Sequence, residues 1–391
     1  MSQGHRASDL GIIGWDRFEY VVQDIEEAER FYRDKLGLPA AGRSSATEAA
    51  RSGEEGLLLQ AGSVTFSCHA PRDPGSRAGR WLARHPEGVC TLAFRVKDLD
   101  GARRTLEERG ATFACAPEAG ADAAGRPWRR FETATPLGDV RFRFVERPAD
   151  GFPAGFDPVE APGGANPFSF QVIDHVTSNF LTLEPWVTWL RDVLGFEEYW
   201  RVRFHTSDVK GDEGGTGLAS VVMWDPGSGV KMANNEPLLP NFESSQIHAF
   251  VEENRGPGVQ HVAFHLPDIA GSVEQMRRRG VEFLETPGAY YEMLPGRMRE
   301  RKVTTFKEDV GRLRELGILV DGADDKYLLQ IFSVEGKALH ADEQGGPFFY
   351  EFIQRRGARG FGEGNFRALF ESIEREQEQR AGSARHPWAG T

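Results

Sequence analysis

Apolar and polar residues alternate through Asp16-Arg-Phe-Glu-Tyr-Val-Val22, and the rhythm then lengthens to a helical period in Ala28-Glu-Arg-Phe-Tyr-Arg-Asp-Lys-Leu-Gly-Leu38, where Gly37 supplies a stop. A strand followed by an amphipathic helix is predicted. The same order recurs in the second half, as Asp174-His-Val-Thr-Ser-Asn-Phe180 and then Trp186-Val-Thr-Trp-Leu-Arg-Asp-Val-Leu-Gly-Phe196. A second pair sets Gly88-Val-Cys-Thr-Leu-Ala-Phe-Arg-Val-Lys-Asp-Leu99 against Gly258-Val-Gln-His-Val-Ala-Phe-His-Leu-Pro-Asp-Ile269. Each again reads as strand into helix, followed by Arg-Gly and a new strand at residues 109–113 and 279–283. A third pair sets Phe142-Arg-Phe-Val-Glu-Arg147 against Tyr350-Glu-Phe-Ile-Gln-Arg355.

The chain is therefore an internal repeat, and the repeat sorts its chemistry. Arg17 falls opposite His175, Thr91 opposite His261 and Arg143 opposite Glu351, with an offset that grows from 158 to 170 to 208 residues as the second copy gains insertions. His175, His261 and Glu351 lie in strand-like stretches. A buried carboxylate among Phe, Tyr and Ile costs several kcal/mol unless something pairs with it, so a shared metal ion is the cheaper reading of the three together. Two neutral imidazoles and one carboxylate on one face of a ferrous ion leave open positions for a chelating substrate and dioxygen. The first copy has none of the three and is expected to be a scaffold without metal. His265 is the competing ligand, four residues after His261, but on a strand the two lie ~13 Å apart, too far for one ion.

Between the copies, residues 148–167 are so rich in proline and glycine that a linker without regular structure is expected. This divides the chain into a first module, 1–147, and a second, 168–391. At 391 residues with a net charge of −12 and pI near 5.4, the chain carries no basic block that would favour nucleic acid or an anionic membrane. Small molecules are the expected partners. Three cysteines without a Cys-x-x-Cys pair make no disulfide framework. Neither a signal peptide nor a long apolar run is seen, so a cytoplasmic location is expected.

Several phrases of the second half resemble one family closely. They are Asp174-His-Val-Thr-Ser-Asn179, Asn235-Glu-Pro237 with Ser245-Gln-Ile247, Gly256-Pro-Gly-Val-Gln-His-Val-Ala263, Leu328-Leu-Gln-Ile-Phe332, Phe348-Phe-Tyr-Glu-Phe-Ile-Gln-Arg355 and the long run from Gly360 to Glu374. They are similar to the 4-hydroxyphenylpyruvate dioxygenase family of the vicinal-oxygen-chelate superfamily. The resemblance implies an α+β fold of two tandem vicinal-oxygen-chelate modules, each a pair of βαβββ units forming an open barrel, with a C-terminal helix over the second.

It also implies Fe(II) on His175, His261 and Glu351, and conversion of 4-hydroxyphenylpyruvate and O2 to homogentisate and CO2 by a homo-oligomeric enzyme. The 2-oxo acid tail of the substrate supplies the electrons, so no separate 2-oxoglutarate, flavin or nicotinamide is needed. Carried over residue by residue, Asn235, Gln246, Gln260 and Gln330 are expected in catalysis, with Ser220 as a further polar contact. Phe332 and Phe366 are expected to sandwich the ring, with Phe349, Phe361 and Asn365 around it. Gln330 and Phe332 share one strand face, as do Phe349 and Glu351, so each pair can line one cavity. Ala233 replaces the proline usual two residues before the Asn, which bears on the shape of the loop expected there. The apolar stripe Phe366, Leu369, Phe370 and Ile373 predicts a lid helix hung on Gly357, Gly360, Gly362 and Gly364. Hydroxymandelate synthase, with the same substrate and ligands, is the nearest alternative, and a metal-free binding protein of the same fold is a more distant one.

Overall fold

The structure, a computed structural model, describes residues 5–159, 166–205, 216–339, 343–362 and 364–365. Its strands fall into two sheets. In the first, β1 (Ile12–Val21), β2 (Ala40–Ser44), β3 (Glu54–Ala61) and β4 (Val64–Pro71) form one βαβββ unit, and β5 (Gly88–Val96), β6 (Glu118–Ala121), β7 (Pro127–Thr133) and β8 (Arg141–Glu146) form the next. The order β6-β7-β8-β5-β1-β4-β3-β2 joins the two units through β1 and β5, which run antiparallel. The predicted helices are present at Ile25–Asp34 and Leu99–Glu108. Asp24 and Asp98 cap them, each carboxylate accepting N–H groups of the first turn that have no partner inside the helix.

The second sheet repeats this plan with β10 (Ile173–Asn179), β11 (Glu197–His205), β12 (Gly217–Trp224), β13 (Lys231–Leu238), β14 (Gly258–His265), β15 (Leu319–Ala323), β16 (Lys326–Phe332) and β17 (Phe349–Arg356). Its order is β11-β12-β13-β10-β14-β17-β16-β15. The pairing registers bear out the alignment of the copies. Arg17 pairs with Ala93 and Ala93 with Arg143, while His175 pairs with Ala263 and Ala263 with Glu351. Because side chains alternate faces with a period of two, equal registers place the three first-copy residues where the second copy places its candidate ligands.

Two expectations need correcting. The stretch 148–167 is not wholly without regular structure: Phe156–Pro158 forms a short strand, β9, on the edge of the first sheet against β2. Pro158 is tolerated because an edge strand leaves one side without ladder bonds, and Phe156 is drawn in by burial against Ala41 and Leu58. Ala233 lies not in a loop but within β13, facing Val222 of β12. The lid helix from Phe366 onward lies outside the described residues.

The two modules share one core. Phe18 and Tyr20 alternate with Arg17 and Glu19 along β1, and their rings meet Phe264 and Phe348 of the second module at 6.3 and 5.0 Å. Phe142 packs edge-on to Trp186 at 5.7 Å. Fully burying each such ring contributes roughly 2 kcal/mol. The apolar seam therefore holds β1, β8, β14 and β17 by their outer faces, leaving the inner faces for chemistry.

Candidate metal centre

His175 is held on β10, His261 on β14 and Glu351 on β17, three adjacent strands whose registers aim the side chains into the second barrel. Their candidate donor atoms lie within 4.8 Å of one another, and all three residues are buried. Oε2 of Glu351 is 3.1 Å from Nε2 of His175 and 3.3 Å from Nε2 of His261. The second nitrogen of each ring is engaged from behind. Nδ1 of His175 donates to Oδ1 of Asp174 at 2.9 Å, and Nδ1 of His261 to Oε1 of Gln260 at 3.2 Å. With the proton held on Nδ1, the lone pair of each Nε2 points at the shared centre, as a metal ligand requires.

The electrostatics follow from these backings. Burial lowers the pKa of both imidazoles, but at His175 the charges of Glu351 and Asp174 outweigh it and the pKa rises. At His261, backed only by a neutral amide, burial wins and the pKa falls. Burial would raise the Glu351 carboxyl, yet the two histidines hold it down at about 2. A carboxylate that stays ionised in an apolar strand, with the Nε2 atoms of two imidazoles converging on it, is a donor set that fits a divalent metal of the 2-His-1-carboxylate kind once the ion takes the place of the Nε2 protons.

Asp174 is itself anchored. Arg355 grips it with two bonds of 2.7 Å and also donates to the carbonyl of Gly360 at 2.7 Å. The loop after β17 is thereby tied to the residue behind His175. Phe361, in that loop, lies edge-on to the His175 ring at 5.0 Å, and its neighbour Gly362 takes φ +73°, where a Cβ would crowd Oε1 of Gln330. Sequence reasoning quoted Asp174 and Arg355 in its motifs but gave them no role. The repeat held the signal, since Asp16 and Arg147 occupy the matching positions and pair at 2.9 Å.

Around the centre the structure gathers most of the expected residues. Asn235, Gln246, Gln260, Gln330, Phe332 and Phe361 line one cavity with the three candidate ligands. Phe349 stacks on His261 at 4.9 Å. Ser220 pairs with Asn235 across β12 and β13 and so shares its face. Asn365 is not among the residues that line this cavity; its Oδ1 accepts a hydrogen bond from the Tyr290 hydroxyl at 2.7 Å, and its buried Nδ2 has no partner. Phe366 lies outside the described residues. His265, on the same strand as His261, is not in the cluster. Thr177, Leu218, Ala233 and Ile247 also line the cavity and were not expected. Small or aliphatic, they carry no chemical signature.

Two features of this cavity bear on what enters it. Buried atoms of Ser220 (Oγ), Asn235 (Oδ1), Gln246 (Oε1) and Gln330 (Oε1) have no hydrogen-bond partner. Native interiors rarely leave such groups unmatched, so a polar ligand is their natural complement. The void itself is about 20 Å3, too small for an aromatic substrate unless a wall such as Phe361 moves.

Comparisons with known proteins agree with this geometry. Residues 16–127 and 172–293 each match a model of the glyoxalase/bleomycin resistance protein/dioxygenase superfamily. A 4-hydroxyphenylpyruvate dioxygenase of Caenorhabditis briggsae is 32% identical over 389 residues, covering 95% of this chain and 94% of that protein. One from Danio rerio is 32% identical over 394 residues, 97% and 94% of the two chains. Among solved structures, a triple mutant of 4-hydroxymandelate synthase from Streptomyces coelicolor aligns with TM-score 0.78 and 28% identity over 94% of this chain and 99% of that one.

Proposed function

Because the chain belongs to the 4-hydroxyphenylpyruvate dioxygenase family, we propose that it converts 4-hydroxyphenylpyruvate and dioxygen to homogentisate and CO2 on one Fe(II) held by His175, His261 and Glu351. The observation that carries the reading is the donor set: two imidazoles with Nδ1 backed and Nε2 turned to a shared carboxylate that stays ionised inside a barrel. Ferrous iron bound there would supply open positions for the 2-oxo acid and for dioxygen.

The chain's own residues do the rest. Asp174 and Gln260 keep the imidazoles in the ligating tautomer. One of the unpartnered oxygens of Asn235, Gln246 and Gln330 accepts the single phenol proton and orients the ring, the other two amides complete the polar lining, and the hydroxyl of Ser220 adds a polar contact beside Asn235. Phe332 and Phe349 form aromatic walls against the His261 side, and Phe361 closes the His175 side against water. A ring held this way presents its substituted carbon to the oxidant, giving homogentisate. Oxygenation at the benzylic carbon, as in hydroxymandelate synthase, requires a different tilt.

Product analysis after anaerobic iron loading, substrate addition and exposure to oxygen tests the assignment. Homogentisate as the main product is expected; hydroxymandelate as the main product would move the chain to the alternative enzyme. His261→Ala is expected to abolish metal retention and oxygen uptake together, and oxygen uptake at the parent rate would remove the metal assignment.

A further inference from the structure

A void far larger than the one at the candidate metal centre lies away from it. It lies in the first barrel, where about 450 Å3 opens beneath a rim that includes the exposed residues Asp73 and Arg80. That size suits a metabolite. The void is lined by Arg17, Thr91's neighbour Cys90, and Arg143, so it sits at the position equivalent to the metal centre of the second barrel.

Its floor is a connected set of ion pairs. Arg17 pairs with Asp16 and Glu19 at 2.7 and 2.9 Å, Arg147 with Asp16 at 2.9 Å, Arg143 with Glu19 and Glu132, and Arg141 with Glu132 at 2.9 Å. Arg77 reaches Glu132 only at 3.8 Å, while its guanidinium donates to the Thr91 hydroxyl at 2.6 Å. Five guanidinium groups thus share three carboxylates. Over the whole lining of the void, Glu54, Asp73 and Arg80 included, seven arginines face six carboxylates, so guanidinium stays in excess by one. The neighbouring set is balanced, with Arg51 and Arg130 both bridging Glu48 and Glu118. The surplus positive charge faces the void, and an arginine fork matches a carboxylate or phosphate oxygen pair. Where the second barrel turns neutral and anionic donors to a candidate metal site, the first sets arginines around a void.

We propose that the first barrel is a second ligand site, which takes a small oxyanion, a carboxylate or a phosphate, against Arg77 with Arg17 and Arg143 behind it. Arg77 is the contact residue because, among the arginines of this network, its nearest carboxylate is the most distant and its side chain lines the void.

Calorimetric titration of the full chain with succinate and, separately, with inorganic phosphate tests this at low ionic strength. One anion bound per chain is expected, with succinate the tighter if the natural ligand is a carboxylate and phosphate the tighter if it is a phosphate. Arg77→Gln should weaken binding about tenfold or more. Glu351→Ala, which disables the metal centre, should leave it within about twofold. Arg141→Gln, a partly exposed member of the same network, provides a second variant should Arg77→Gln fail to fold by circular dichroism, and it too should weaken binding. Absence of binding up to about 10 mM of either anion, or binding lost in Glu351→Ala but kept in the arginine variants, would overturn the proposal.

Discussion

Tyr32 of the first module and Tyr350 of the second meet hydroxyl to hydroxyl at 2.7 Å in the buried seam between the barrels. Tyr350 directly precedes Glu351, so β17 turns its carboxylate into one barrel and its phenol toward the other module. Burial and the presence of the partner phenol push the pKa of Tyr32 well up, and burial does the same at Tyr350, so the pair stays neutral and bonded. Tyr32→Phe is expected to cost about 1–2 kcal/mol by leaving the Tyr350 hydroxyl unmatched. The double variant with Tyr350→Phe should cost less than the sum of the single ones. Urea denaturation through the double-mutant cycle measures this, and additive single effects would mean that the bond contributes nothing of its own.

Asp174→Asn keeps the shape of the residue behind His175 but removes its charge. Metal affinity is expected to fall about 10- to 100-fold, because the imidazole loses the negative charge that raises its basicity and Arg355 loses the carboxylate that it grips. Competition with a chelator of known affinity reads this directly. An unchanged affinity would limit Asp174 to its ion pair with Arg355.

Asn235→Ala removes one of the groups proposed to hold the phenol. Coupling of substrate oxidation to ring hydroxylation should loosen, with hydroxymandelate or hydroxyphenylacetate rising as a share of product. Chromatography of the quenched reaction decides, and a slower reaction with an unchanged product ratio would place Asn235 outside the control of ring orientation.

Glu132 provides a test of the first barrel by pH. Burial would raise its carboxyl, but Arg143 and Arg77 outweigh burial and hold it at about 2. A folded pKa below the unfolded one means that the stabilisation is fully present above roughly pH 4.3 and is lost as pH falls through about 2. Its size is on the order of 3 kcal/mol. The melting temperature of Glu132→Gln should therefore trail the parent at neutral pH and converge with it in acid. A gap that stayed constant down to pH 2 would rule out this linkage.

The three candidate ligands were legible in the sequence because a repeat compares each half against the other: histidine at two matched strand positions stands out against arginine and threonine. It exposed the barrels for the same reason, since strand and helix periods recur in one order. The Asp174–Arg355 clamp joins residues 181 apart, and no local pattern marks such a pair. β9 was hidden because proline and glycine bracket Phe156 and mask the burial that recruits it. Ala233 was misjudged as a loop residue because the proline expected there suggests a turn, whereas alanine keeps its N–H for the β-ladder. Asn365 was placed at the substrate by its motif; in the fold its amide oxygen is taken by Tyr290, which leaves only its amide nitrogen for a ligand.

The Asp–Arg clamp occurs in both barrels, behind a histidine in one and behind an arginine in the other. Its first duty is thus independent of metal: it fastens the opening strand of each module to the closing one. For a duplicated ancestor this separates inheritance into two parts. The fastening had to be kept in both copies, whereas the residues facing the interior were released from any common task. One copy could keep or acquire catalysis and the other could change its contents entirely, with neither change endangering the architecture that the two still share.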